Sequence, residues 1–183
     1  LGLNDKSVLG FIESTGNERT GWDCYRRFID MFGDVVMGPT TGLEHHDFEV
    51  AMTELKKKYG AKEDTDLSAE QLKELCEVYK KVYQKKVKKP FPQDPLEQLL
   101  ASVNAVFGSW NSERAEKYRT INKVTGLLGT AVNVCTMVFG NMGDESGTGV
   151  AFTRDGSTGD EEPMGEYLIN AQGEDVVAGI RTP

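Results

Sequence analysis

Residues 140–149 read G-N-M-G-D-E-S-G-T-G and stand between two runs rich in β-branched side chains. Glycine accepts positive φ and adds no Cβ, so such a turn lets backbone N–H groups come close to a ligand. Successive N–H groups aimed the same way form a concave nest for phosphate oxygens. Phosphate binding is therefore one chemistry this stretch could perform. The residues alone leave a plain hairpin loop open as the other reading. The remaining reactive types are sparse. Cys24, Cys76 and Cys135 are far apart, in no C-x-x-C arrangement, and placed among apolar neighbours, where cysteine packs as a small hydrophobe. His45 and His46 are adjacent, so on a helix they diverge, which predicts surface residues opening a helix and not a metal pair.

The elements that must hold such a turn divide the chain by character. Tyr25, Phe28, Ile29, Phe32, Val35 and Val36 follow one apolar helical face. Phe48, Ala51, Met52, Leu55 and Tyr59 repeat the pattern, and Gly60 stops it. Ser68 with Gln71 forms a capping-box start to the stripe Leu72, Leu75, Cys76, Tyr79, Val82 and Tyr83. Pro90 and Pro92 break the chain, and Asp94-Pro95 opens a further helix through Leu99, Leu100, Val103, Val106, Phe107 and Trp110. These stripes predict helix packing, with the aromatics in the core. The basic stretch K-K-V-Y-Q-K-K-V-K-K at residues 80–89 reads as a solvated helix face near a C-terminus.

Beyond Gly126 the pattern turns to strands. Residues 130–139, 149–153 and 166–169 alternate and are β-branched, with glycine-rich turns between them. Residues 155–163 (D-G-S-T-G-D-E-E-P) predict an exposed acidic loop. The expected fold class is α+β: a helical subdomain over residues 1–93, connecting helices over 94–128, and an antiparallel β element over 129–183.

The 183 residues carry a formal charge of −8 and 38% hydrophobic residues. Such an acidic chain does not carry the clustered positive charge of a nucleic-acid footprint. No apolar run reaches the ~18–20 residues that span a bilayer, and no charged-then-apolar leader stands at the start, so no nucleic acid and no membrane are expected as partners. An odd number of dispersed thiols predicts a reducing compartment, and the expected location is cytoplasmic.

Three blocks carry a resemblance: T-A-V-N-V-C-T-M-V-F-G-N at 130–141, S-G-T-G-V-A-F-T-R-D at 146–155, and G-E-Y-L-I-N-A-Q-G-E-D-V-V-A-G-I-R-T-P at 165–183. With L-G-L-N-D at 1–5 and D-C-Y-R-R-F-I at 23–29, they resemble, in order, part of the N-terminal ATP-grasp nucleotide-binding domain of the pyruvate, phosphate dikinase family. The resemblance covers essentially the whole chain, which looks excised from something longer. It implies a partial ATP-grasp β element and a kinase-type phosphotransferase. That enzyme makes phosphoenolpyruvate, AMP and pyrophosphate from pyruvate, ATP and phosphate through a phosphohistidine. A phosphoenolpyruvate synthase-like segment and a non-catalytic helical interaction module are the alternatives.

By that resemblance, residues 134–139 form a strand beside adenine, with Met137 and Val138 offering backbone N–H and C=O to the base. Ser146, Gly147, Thr148 and Gly149 match a flexible loop over the phosphates. Glu174 matches an acidic position for ribose hydroxyls or the adenine amino group, flanked by Gln172 and, less strongly, Asp175. The implied partners are ATP and AMP, a phosphohistidine domain and a pyruvate-binding barrel, with the parent a homodimer. Magnesium is the implied cofactor, its ligands lying outside this segment, which holds no catalytic residue and no metal ligand of its own. The helical half is expected to be a lid or spacer. Cys135, Gly108 and Gly156 depart from the family's usual glutamine, arginine and proline: the first puts a polar contact from the 134–139 strand in doubt, the second removes an interdomain or phosphate contact, and the third only loosens a turn.

Overall fold

The computed structural model describes residues 1–177, so Ala178–Pro183, which close the last family block, lie outside the described residues. The chain divides into two compact units, Leu1–Val134 and Cys135–Pro183.

The first unit is helical: α1 Ser7–Thr15, α2 Glu18–Met31, α3 Gly38–Thr41, α4 His45–Tyr59, α5 Ala69–Val87, α6 Pro95–Ser109 and α7 Glu113–Ile121. Its starts follow local chemistry. The Asn17 side chain accepts from Thr20 N, and Ser68 accepts from Gln71 N while the Gln71 side chain accepts from Ser68 N at 2.8 Å. Asp94 accepts from Leu96 N, ahead of Pro95 in the first turn. Gly60 closes α4 at φ 70°. The expected face of α2 continues past Met31 as a π-helical segment, Phe32–Met37. A Cβ at Gly33 would stand 2.6 Å from Phe48 Cζ, so only glycine lets this segment sit on α4.

The core joins α2, α4 and α5 through Tyr25, Ile29, Phe48, Leu55, Leu72, Leu75 and Tyr79. Phe91, between the two prolines, is 3% exposed and meets Tyr25, Phe28, Phe32 and Tyr83 edge-on at centroid distances of 6.2, 5.7, 5.6 and 5.3 Å. Beside this core lies a charged cluster. Arg26 Nε donates to Asp23 at 2.9 Å, Arg27 Nε donates to the same carboxylate at 3.1 Å, and Arg26 Nη2 reaches Asp64 at 3.2 Å. Burial pushes the Asp23 carboxyl up, but Arg26, Arg27 and Arg19 together outweigh it and hold the group below its usual range.

One helix departs from the expected packing. Gln98 is the buried residue of α6, while Leu96, Leu100 and Phe107 are 58, 55 and 50% exposed. Gln98 accepts from Gly2 N at 2.8 Å and donates to Leu3 O and Pro92 O at 2.9 and 2.8 Å. Periodicity marks an apolar stripe, but the stripe is buried only where a second face meets it, and α6 is anchored here through a polar residue.

Among the described residues the second unit holds one antiparallel pair, β1 Gly147–Phe152 and β2 Met164–Ile169, in register from Gly147 opposite Ile169 to Phe152 opposite Met164, followed by the short α8, Gly173–Val177. Leu168, Ala171 and Val176 pack together, with Val150 against them. A helical unit followed by an antiparallel β element is the expected α+β class. Two local expectations are corrected. The strand expected at 134–139 is not formed: the stretch is irregular, with Val134 69% and Val138 88% exposed. Alternation supplies strand propensity, but a strand exists only on a partner edge, and among the described residues none pairs with 134–138. The flexible loop expected at Ser146–Gly149 is instead mostly strand, because Gly147–Gly149 are the start of β1.

Candidate ATP-binding turn

The sequence candidates gather around the base of the β1–β2 hairpin. Ser146 closes the preceding turn: its Oγ accepts from Met142 N at 3.1 Å and donates to Gly143 O at 2.9 Å, while its own N–H donates to Gly143 O at 3.0 Å. Two N–H groups that a phosphate nest would use are therefore engaged within the turn. Thr148, in β1, donates its hydroxyl to Ala171 O at 2.7 Å. Ala171 N donates to Gly140 O at 2.9 Å and Asn170 N to Ser146 O at 2.8 Å. A Cβ at Gly140 would collide with Thr148 Oγ1 and Ala171 O. Glycine at 140 is thus required by close approach, since Gly140 is not among the glycines with positive φ.

Gln172 is buried: its N–H donates to Asp175 Oδ2 at 2.9 Å, and its Nε2 donates to Asn141 Oδ1 at 3.1 Å. Glu174 lies exposed in the first turn of α8, with Asp175 buried beside it. Met137 is 57% exposed in the irregular stretch that leads to Gly140. The fold thus ties the turn at 140–146, the Thr148 hydroxyl, and residues 170–175 into one knot, with Glu174 on its outer side. Met137 and Val138 lie upstream of this knot, not within it.

Sequence reasoning missed one member. Asn141 is the polar partner of Gln172, and nothing in its local pattern announces a contact thirty-one residues away. Asp175 was legible: a carboxylate three residues after Gln172 has the spacing of a side chain turning back to an N-terminal backbone donor. Of the cysteines, Cys24 and Cys76 are buried as expected, while Cys135 is exposed in the irregular stretch. Burial pushes the Cys76 thiol well above its usual value, which leaves it protonated and inert. His45 and His46 open α4, as expected. Among the described residues no helix is long and apolar enough to cross a membrane.

A hairpin knotted at a glycine-rich turn suits a nucleotide-binding module, and the comparisons with known proteins give the family. The model described as pyruvate phosphate dikinase, AMP/ATP-binding domain matches residues 91–183. Over its whole length the chain is 58% identical to pyruvate, phosphate dikinase 1, chloroplastic, of Arabidopsis thaliana, and covers 18% of that protein. It is 57% identical to the chloroplastic pyruvate, phosphate dikinase of Mesembryanthemum crystallinum, covering 19%, and to pyruvate, phosphate dikinase 2 of Oryza sativa subsp. japonica, covering 20%. The chain belongs to the pyruvate, phosphate dikinase AMP/ATP-binding domain family. It spans about a fifth of the length of these relatives. The expected cytoplasmic location is overturned by the names of the first relatives, which are chloroplastic.

Proposed function

We propose that this chain is the part of a pyruvate, phosphate dikinase that contributes to ATP binding. The parent enzyme would make phosphoenolpyruvate, AMP and pyrophosphate from pyruvate, ATP and phosphate through a phosphohistidine. The observation that carries this reading is identity above one half along the entire chain to proteins named for that activity. A family description that names AMP and ATP supports it. The second unit belongs, in this reading, to an ATP-grasp fold. Glu174 accepts hydrogen bonds from ribose hydroxyls or the adenine amino group, and its exposure beside the knot suits that role. Gln172 flanks it as a further, weaker contact to the nucleotide. The backbone of Met137 and Val138 meets the adenine edge, and the turn closed by Ser146, with Gly147, Thr148 and Gly149 at the start of β1, lies toward the phosphates. The phosphohistidine domain and pyruvate-binding barrel are the partners in the parent, which is a homodimer.

Phosphoryl transfer from ATP uses magnesium to neutralise charge on the β- and γ-oxygens. Among the described residues no three His, Cys, Asp or Glu side chains stand together where a metal ion could be held. In this reading the carboxylates that would hold the ion lie outside this segment.

Titration with a non-hydrolysable ATP analogue, and with its guanine counterpart, tests the binding claim. Adenine-selective binding that weakens at least about tenfold in Glu174→Gln is expected, the effect of one charge-assisted hydrogen bond. Equal affinity for both bases, or no effect of the substitution, removes Glu174 from the site. In the full-length enzyme, phosphoenolpyruvate synthesis should stop when inorganic phosphate is omitted. Undiminished synthesis would indicate a phosphoenolpyruvate synthase instead.

A further inference from the structure

In five places a hydroxyl residue is followed three positions later by a carboxylate: Thr15, Thr20, Thr41, Ser157 and Thr158. The fold separates them. Thr20 is 4% exposed within α2. Thr15 and Thr41 end helices and donate their hydroxyls to Phe11 O at 2.9 Å and Met37 O at 2.8 Å. Ser157 and Thr158 lie instead on the exposed connection between β1 and β2. That connection is a small closed turn: Asp155 Oδ1 accepts from Ser157 N and Thr158 N at 2.7 and 2.9 Å, and Asp155 N donates to Asp160 O at 3.0 Å. The Thr158 hydroxyl accepts from Asp160 N at 3.3 Å. The Ser157 hydroxyl is in no hydrogen bond among the described residues. Three successive carboxylates follow it, Asp160, Glu161 and Glu162, all exposed. Glu161 is held by Arg154 Nη2 at 2.5 Å, whereas Asp160 is in no ion pair among the described residues.

We propose that Ser157 is a phosphorylation site for an acidophilic serine kinase, one whose peptide groove carries Lys and Arg for carboxylates on the C-terminal side of the acceptor. Asp160 stands at the third position after the acceptor, and Glu161 and Glu162 extend the same charge. The turn is fastened by a few exposed hydrogen bonds, which open at low cost when a kinase takes the segment. In the transfer, Ser157 Oγ attacks the γ-phosphorus of ATP and the kinase's general base takes the hydroxyl proton. The bond from that phosphorus to the β–γ bridging oxygen breaks, and ADP leaves. The product carries about −1.5 to −2 charge at neutral pH and competes with Glu161 for the Arg154 guanidinium.

The test incubates the whole chain with a purified acidophilic serine kinase, magnesium and ATP. A sample without kinase and an acidic control peptide run beside it, and the phosphate is placed by fragmentation mass spectrometry. One phosphate on Ser157 is expected, absent without kinase and absent from Ser157→Ala. Asp160→Asn should lower the kinase's kcat/KM for the chain about tenfold, the loss of one charge-assisted contact. Phosphate on Thr158, Thr15, Thr41 or elsewhere overturns the assignment. So does no incorporation while the control peptide is phosphorylated, and so does an Asp160→Asn chain modified as fast as the original. Mapping on the unsubstituted chain decides the site even if a variant folds poorly.

Discussion

Single residues hold the helical unit together in places that periodicity does not mark. Phe91 belongs to no helix and sits between prolines, so no stripe includes it, yet it packs edge-on against four rings of α2, the π segment and α5. Phe91→Ala should lower the stability of this unit by about 3–5 kcal/mol, the cost of a large cavity, read as a shift in urea midpoint with unchanged slope. A loss below about 1 kcal/mol would mean the ring contacts contribute little beyond burial. His45 makes the opposite kind of contribution. Its Nδ1 lies 2.9 Å from the buried Asp30 carboxylate, and that hydrogen bond, against a smaller opposing effect of burial, raises its pKa. Glu49 and Asp34 act in the same sense. A raised folded-state pKa means this contribution is complete below the unfolded value of about 6.5 and fades as pH rises through the folded one. The melting temperature should therefore decline from pH 6 to pH 8, and His45→Asn should flatten that decline. An unchanged slope in the variant would assign the pH dependence to other groups.

At the scale of elements, legibility in the sequence followed whether a signal was local. The capping box at Ser68, the Asp94-Pro95 start and the Gly60 stop are settled within a few residues, and they appear where expected. Stripes on α4 and α5 were right because these helices face α2 and each other. The α6 stripe and the 134–139 strand were misread because their outcome depends on a second face or a second edge, which no local pattern supplies. The knot at the hairpin base was half legible: glycine at 140 was visible, whereas its reason, the approach of Ala171 and Thr148, spans the hairpin. Gly140→Ala should open that base. Hydrogen exchange at Ala171 N and along β1 should speed up, with a destabilisation of about 1–3 kcal/mol for overpacking. Gly156→Ala, with no atom within 4 Å of the added carbon, should leave exchange unchanged. At the end of α5, Lys88 adopts φ 63°, a left-handed position that glycine occupies more readily. Lys88→Gly should raise the thermal midpoint by the equivalent of about 0.5–1 kcal/mol after the entropic cost of glycine. A lowered midpoint would show that the hydrogen bond from Lys88 Nζ to Lys85 O, at 2.7 Å, outweighs the backbone gain.

For the whole molecule, binding and chemistry separate. The hairpin knot offers exposed carboxylates at Asp144, Glu145 and Glu174, hydroxyls already engaged in the fold, and a turn whose N–H groups are partly internal. Such a surface can orient a nucleoside but supplies little positive charge to the phosphates. Transfer of a γ-phosphoryl group depends on preorganised cations aimed at developing charge, and losing one donor of that kind costs about 10²–10³ in rate. Among the described residues no metal-holding cluster is present, and the charged cluster of Asp23, Arg26, Arg27 and Asp64 belongs to the other unit. The 183-residue chain alone should therefore bind an ATP analogue yet transfer no phosphate. Mixing it with γ-labelled ATP, magnesium and the family's isolated phosphohistidine domain should label the histidine no faster than a mixture without the chain. Faster labelling would place a complete phosphoryl-transfer site within these residues. It would also make the turn at 140–146, where Gly140 allows close backbone approach, the first place to look for it.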